Sequence, residues 1–390
     1  MSEVKKDLSF ILNHLGEDRE EYYGAVSPPL FQSSNFCSPS VSALREKLEA
    51  ELEHPFYTRG YNPTTGILCK KIAALEGTED ALVFSSGSAA VAAAVMSVVK
   101  AGDHVVCIAK PYSWTNNLLS KYLNKYEVST TFVTGESLEN FELAINDNTR
   151  LIYLESPNSL TFELQDILAI THLAKGRNLV TILDNSYNSP LNQRPVFLGV
   201  DLIVHSATKY LSGHSDLIAG AVCGKRDRIQ KMFAEEYMTL GAVISPHDSW
   251  LLLRGLRTLE LRVNRSADSA QKIVDYLENH PKVERVYYPF AKTSPQLNLA
   301  KKQMRQGGGL FSLRLRAEKE EQVERFCDSL TRFLIATSWG GYESLAFPLC
   351  ALAASKSFEN PLPFNVVRFY IGIEDADLLI QDLEQALKQV

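Results

Sequence analysis

Six short apolar runs rich in Val and Ile lie between Gly66 and Gly224: Ala81–Phe84, His104–Ile108, Leu151–Leu154, Leu179–Leu183, Leu202–Val204 and Leu217–Val222. Segments with helical spacing separate most of them, such as Leu68–Leu75, Ala89–Val99 and Ile167–Ala174. Strands alternating with helices predict an α/β fold with a large, mainly parallel sheet. Strands that are apolar along their whole length fit a sheet covered on both faces. The remainder is arranged around this block. Residues 1–60 are interrupted by Pro28, Pro29 and Pro55, and only Val41–Leu52 has helical spacing, so they read as an extended arm. Residues 61–246 form the main domain. Residues 247–390 form a smaller C-terminal α/β domain, with a helical stretch at Ser249–Leu277, strands at Val283–Tyr288, Gly309–Leu315 and Val366–Ile371, and a last helix after Glu374. The apolar residues of that helix, Leu379, Leu383, Ala386 and Leu387, share one face.

Composition narrows the function classes. With 45% hydrophobic and 22% charged residues, the 390-residue chain has an ordinary globular balance. A net charge of -6, with no long basic run and with doublets such as Lys5–Lys6 and Lys301–Lys302 reading as solvated faces, argues against nucleic acid or an anionic membrane as the main partner. No apolar run approaches the ~18 residues of a membrane helix, and the first residues carry no apolar signal core. The six cysteines are scattered without a C-x-x-C pair, so neither a disulfide framework nor a bound metal is expected, and a reducing cytoplasm is.

Three places carry chemistry, and they occur in a meaningful order. The run Ala81–Phe84 feeds Ser85, Ser86, Gly87 and Ser88 and then a helical segment. Such a turn offers free N–H groups and a helix dipole to a phosphate, although serine capping of a plain turn reads the same way. Asp184 ends the run Leu179–Leu183, where ligands of open parallel sheets bind, and its carboxylate suits a protonated pyridine nitrogen. Leu202–Val204 then leads into His205-Ser206-Ala207-Thr208-Lys209, which supplies two hydroxyls and an amine. A lysine kept near cationic or apolar groups loses basicity and becomes a nucleophile. A phosphate turn, a strand-end acid and a strand-end lysine together fit pyridoxal 5'-phosphate (PLP). Ser206 to Lys209 also fits S-x-x-K of acylating hydrolases, but the S-D-N and K-T-G partners are missing.

These residues stand in stretches that resemble the PLP-dependent transsulfuration enzymes of cysteine and methionine metabolism. The carriers are G-A-V-S-P-P-L from Gly24, Y-T-R-G-Y-N-P-T from Tyr57, S-S-G-S-A-A-V from Ser85, D-N-S-Y-N-S-P from Asp184, H-S-A-T-K-Y-L-S-G-H-S-D from His205, S-W-G-G-Y-E-S-L from Ser338 and V-R-F-Y-I-G-I-E-D from Val367. The resemblance implies fold type I of the PLP enzymes. It implies that Lys209 carries PLP and moves protons, that Asp184 pairs with the pyridine nitrogen and that Tyr112 stacks on the ring. By the same resemblance Gly87, Ser88, Ser206 and Thr208 hold the phosphate. Tyr57 and Arg59 would reach the site of a neighbouring subunit, in a homotetramer built as a dimer of dimers. Arg368 would clamp the substrate α-carboxylate, with Ser338, Trp339, Ser159 and Tyr57 also facing the substrate.

The motifs divide on the reaction. Trp339, Ser159 and the Lys209 stretch resemble cystathionine β-lyase, which implies β-elimination of L-cystathionine or a related cysteine conjugate to a thiol, pyruvate and ammonia. The Tyr57–Thr64 stretch is closer to the γ-lyases and γ-synthase. Asn117 and Thr337 lack the charge that relatives use on the far end of cystathionine, which leaves smaller substrates such as methionine, homocysteine, cysteine or an acyl-homoserine open. An aminotransferase or decarboxylase on the same fold stays open too, since fold does not fix reaction. A non-catalytic relative is opposed by the intact set of Lys209, Tyr112, Asp184 and Arg368.

Overall fold

The structure is a computed structural model and describes residues 7–352 and 362–390. Its centre is a seven-stranded sheet: β1 (Asp80–Phe84), β2 (His104–Ile108), β3 (Ser129–Val133), β4 (Thr149–Glu155), β5 (Val180–Asp184), β6 (Leu202–His205) and β7 (Gly220–Gly224). The spatial order is β1-β7-β6-β5-β4-β2-β3. All neighbours pair in parallel except β7, which runs antiparallel to both β1 and β6. The carboxyl ends of β1, β2, β4, β5 and β6 therefore open on one edge.

Side-chain alternation divides the core. Val106, Ile108, Ile152, Leu154, Leu183 and Ile203 bury on one face, with the helix Pro63–Glu76. Val105, Cys107, Leu151, Tyr153, Ile182 and Val204 bury on the other, with the helix Gly87–Met96. Both faces are thus filled, as the unbroken apolar runs require. β3 was not expected. Its sequence, Ser-Thr-Thr-Phe-Val, is polar because an edge strand stays partly exposed. The run expected from Leu217 joins the sheet only at Gly220, because the Ala219 backbone pairs with Thr208 instead.

The helical stretch expected as one piece from Ser249 is two helices, Pro246–Arg257 and Leu259–Leu277. The Arg262 guanidinium explains the break. It donates to the carbonyls of Gly255 (2.8 Å) and Tyr210 (2.9 Å), and its Nε donates to the Thr258 hydroxyl (3.0 Å). One side chain thus caps the first helix and ties it to the residue after Lys209.

A second sheet, ordered β10-β11-β12-β9-β8, follows in the C-terminal part. It comprises β8 (Val283–Tyr287), β9 (Leu310–Leu315), β10 (Leu334–Ile335), β11 (Leu345–Pro348) and β12 (Val366–Tyr370). The short β10 and β11 were also not expected. The helix Ala376–Leu387, N-capped by Asp375, buries Leu379, Leu383, Ala386 and Leu387 against this sheet. The amino-terminal helix Val41–Glu49 buries no residue. In the same amino-terminal part of the chain Tyr23 and Val26 are almost fully exposed. Among the described residues no helix is long and apolar enough to cross a membrane.

Candidate active site

Strand ends put the chemistry in one place. β4 ends in Glu155 and β5 in Asp184, which face each other in register. β6 ends at His205, and the chain turns through Ser206 to Lys209, with Lys209 N–H donating to Ser206 C=O (3.0 Å). β1 ends at Phe84 beside them, and its turn leads through Ser86 into the helix Gly87–Met96.

The turn at Gly87 is a close-fitting cradle. A Cβ on Gly87 would come within 2.9 Å of Ser206 Cβ and Oγ, and one on Gly220 within 2.2 Å of Ser86 C=O. Only glycine lets the helix start approach the Ser206 turn this closely. Ser86 caps the helix through Ala89 N–H (3.1 Å), and Ser88 stands exposed on the first turn. Ser206 N–H donates to the Ser186 hydroxyl (2.7 Å), while its own hydroxyl has no protein partner among the described residues. Thr208 is engaged otherwise: its hydroxyl bonds the Ala219 carbonyl (3.2 Å) and amide (3.0 Å). Helix-start amides beside a free serine hydroxyl are a donor set that fits a phosphate.

Lys209 is held between the two sheets. Its Nζ donates to the Ser338 hydroxyl (2.5 Å) and lies 5.5 Å from the centre of the Trp339 ring. Trp339 packs edge-on against Tyr210, with centroids 5.4 Å apart. The loop reaches this far because Gly340 has φ +90° and no Cβ; a Cβ there would sit 2.8 Å from Lys209 Cα and C. Ser338 is itself left-handed at φ +73°, an unusual backbone for serine that aims its hydroxyl and carbonyl into the site. Arg368 on β12 makes a long contact (3.5 Å) to Ser338 C=O and lies over Phe347.

The electrostatics follow from burial. Burial, and then the Arg368 charge, push the Lys209 amine down to about 8, with Asp184 acting in the opposite direction. Burial raises the Asp184 carboxyl, while hydrogen bonding from Ser186 and the charges of His205 and Lys209 hold it down. A cationic ring nitrogen beside it would lower it further. Burial raises the Tyr112 phenol, with Asp184 and Glu155 adding to the effect and Arg368 opposing it. A nucleophilic amine near neutrality, a buried acid and a phosphate cradle are what PLP requires, so these residues fit the cofactor.

Of the residues singled out from the sequence, Lys209, Ser338, Trp339 and Arg368 form one cluster. Asp184, Tyr112 and Ser159 gather around Glu155, and Gly87 meets Ser206. Tyr57 and Arg59 do not join these groups. They are exposed and paired with each other, the guanidinium 5.2 Å from the ring centre. Glu155 escaped the sequence reading. It accepts from Tyr112 N–H (2.7 Å) and from the Ser159 hydroxyl. It ends an apolar run just as Asp184 does, so the same strand-end rule could have found it.

The model of the Cys/Met metabolism PLP-dependent enzyme family matches residues 10–388. L-methionine gamma-lyase of Pseudomonas deceptionensis is 37% identical over 100% of this chain and 99% of its own length. Cystathionine gamma-lyase of Bacillus subtilis is 37% identical over 97% and 99%. Cystathionine gamma-synthase of Mycobacterium tuberculosis is 36% identical over 96% and 95%. Among solved structures, that of metB from Corynebacterium glutamicum matches with a TM-score of 0.92 and 35% identity, covering 98% of each chain.

Proposed function

Because the chain belongs to the Cys/Met metabolism PLP-dependent enzyme family, we propose that it cleaves the carbon–sulfur bond at Cγ of a small homocysteine-type amino acid. L-Methionine is the first candidate, giving methanethiol, 2-oxobutyrate and ammonia with uptake of one water. That the enzyme is PLP-dependent and acts in cysteine and methionine metabolism follows from the family. The finer reading has two supports. Relatives named for γ-chemistry share 36–37% identity along nearly the whole chain. The chain also carries uncharged Asn117 and Thr337 where the far end of a longer, charged substrate would need partners. The relatives shift the weight from the β-elimination expected on Trp339 and Ser159 toward Cγ, and the two uncharged residues favour a small substrate.

The observation that carries the mechanism is the convergence of Lys209, Arg368 and Ser338. PLP, when bound, serves as the electron sink for negative charge developing at Cα. Arg368 binds the α-carboxylate through its planar fork. Lys209 Nζ takes the Cα proton, and γ-cleavage requires a second proton to be removed, from Cβ. A group that accepts and returns protons works best with a pKa near the operating pH, and burial places Lys209 at about 8. The Tyr112 phenol, kept protonated by its surroundings, donates to the departing sulfur. Asp184 holds the ring nitrogen, and Ser338 fixes the resting position of the Lys209 amine.

A second reading is β-elimination of L-cystathionine. The Trp339 ring beside the Lys209 amine favours it, because that residue carries the resemblance to the β-lyase. Incubation of the holoenzyme with L-methionine and, separately, with L-cystathionine tests both. Methanethiol and 2-oxobutyrate from methionine support the first reading. Pyruvate from cystathionine, with methionine untouched, replaces it with the second.

The exposed Tyr57–Arg59 pair belongs to the same proposal. It completes the phosphate site of a second copy of the chain, so that the active sites are shared within a dimer and two dimers make a homotetramer.

A further inference from the structure

The geometry points to Glu155 as a positioning residue of this site, one whose carboxylate sets where the Tyr112 phenol and the Ser159 hydroxyl stand relative to Asp184. The inference rests on the reading that Tyr112 works at the reacting centre. Glu155 is 5% exposed. One of its oxygens accepts from Tyr112 N–H (2.7 Å) and the other from the Ser159 hydroxyl. Tyr112 begins the helix Ser113–Asn117, and no side chain caps that helix start. The hydrogen bond to Glu155 is therefore the polar anchor at the point where the chain turns to present the phenol. Ser159 follows the β4 strand end by four residues, so the same carboxylate also holds the return loop. The backbone of Glu155 is locked in register with Asp184 on β5.

The carboxyl is buried between groups that feel its charge. Burial, and then the charge of Asp184, raise it to about 8, while the Ser159 and Tyr112 hydrogen bonds oppose the rise. Tyr112, Tyr153 and Cys107 are all pushed up in part by it. Two acids at adjacent strand ends do not ionise independently. A neutral Glu155 leaves the local negative charge to Asp184, where the ring nitrogen needs it, and still accepts from the Tyr112 amide.

The test uses holoenzyme carrying Glu155→Ala, Glu155→Gln or Tyr112→Phe, and the double variant E155A/Y112F. Turnover and the visible circular dichroism of the bound cofactor are read at full cofactor content. Glu155→Ala is expected to change the dichroism and lower kcat at least about tenfold, since a misplacement of about 1 Å costs up to about a hundredfold. Glu155→Gln keeps an acceptor for the Tyr112 amide and should recover kcat to within about threefold of wild type. In the Tyr112→Phe background the alanine change should cost less than about threefold, because residues acting through each other are not additive. Wild-type dichroism and turnover in Glu155→Ala would overturn the inference. So would a Gln variant as impaired as Ala, or an undiminished Ala cost in the Phe background. If Glu155→Ala fails to fold, Glu155→Asp takes its place, since one methylene less draws the carboxylate away from the amide. Full turnover in Tyr112→Phe alone would instead refute the role of Tyr112, while the dichroism of the Glu155 variants still decides the anchor.

Discussion

The turn around Lys209 and the stretch around Tyr57 have opposite surroundings. Lys209 finds its neighbours within one chain: Ser206 behind it, Gly340 against its backbone, Ser338 and Trp339 at its amine. Tyr57 and Arg59 pair with each other and face outward, in an amino-terminal part whose helix Val41–Glu49 buries nothing and whose Val26 is 82% exposed. Apolar side chains gain about 25 cal/mol per Å² when covered, so a segment this bare is stabilised by meeting another surface. In the proposed dimer, a chain would complete the surroundings of Lys209 alone and leave part of its phosphate site to a second copy.

The sharpest way to break this contrast is at the self-contained end. Lys209→Ala should abolish the visible absorption of the bound cofactor and lower turnover by about a thousandfold or more, with unchanged far-ultraviolet circular dichroism. Retained colour and turnover would show that another amine does the work. Arg368→Ala should raise the Kd of an unreactive amino acid roughly thirtyfold, about 2 kcal/mol, because the α-carboxylate loses its charged partner. Spectral titration of the holoenzyme measures this, and an unchanged Kd removes Arg368 from the site. At the open end, inactive Tyr57→Ala and Lys209→Ala chains are mixed and allowed to exchange. Random pairing should restore roughly a quarter of wild-type activity, since half the dimers are mixed and each has one intact site. No recovery despite demonstrated exchange would confine the site to one chain.

A further test concerns Glu155 and reads stability, not turnover. Its folded-state pKa of about 8 lies above the ordinary 4.5, so the folded apoprotein holds a proton that the unfolded chain releases. This contribution is fully present below about 4.5 and is lost as the pH rises to about 8. Compared with Glu155→Gln, the wild-type apoprotein should lose stability across that window, as followed by urea denaturation. Parallel pH profiles for the two would mean that the carboxyl stays ionised throughout.

The sequence made the central strands legible because burial on both faces leaves few polar positions, such as His104 and Thr181. β3 was missed because an edge strand needs few apolar residues, and β10 because Leu334 and Ile335 stay exposed. In the site, Asp184 and Lys209 were readable from their places at strand ends. Glu155 has the same kind of place but was passed over, since its role depends on an amide 43 residues away. The reaction was less legible than the cofactor. Trp339 and Ser159 resemble one branch of the family, while Asn117 and Thr337 lack the charges that would settle substrate length. Local residue types do not say which carbon loses its sulfur when the same lysine serves both.

Gly340 has a mechanical consequence. The loop from the smaller sheet rests on the main chain of Lys209 with no side chain between them, and Arg262 pins the next residue, Tyr210, from the long helices. One of the contacts between the two halves of the molecule is thus made at the main chain of Lys209, the residue proposed to carry the cofactor. Any shift of the smaller sheet would therefore act on the Lys209 backbone directly, without a side chain to absorb it.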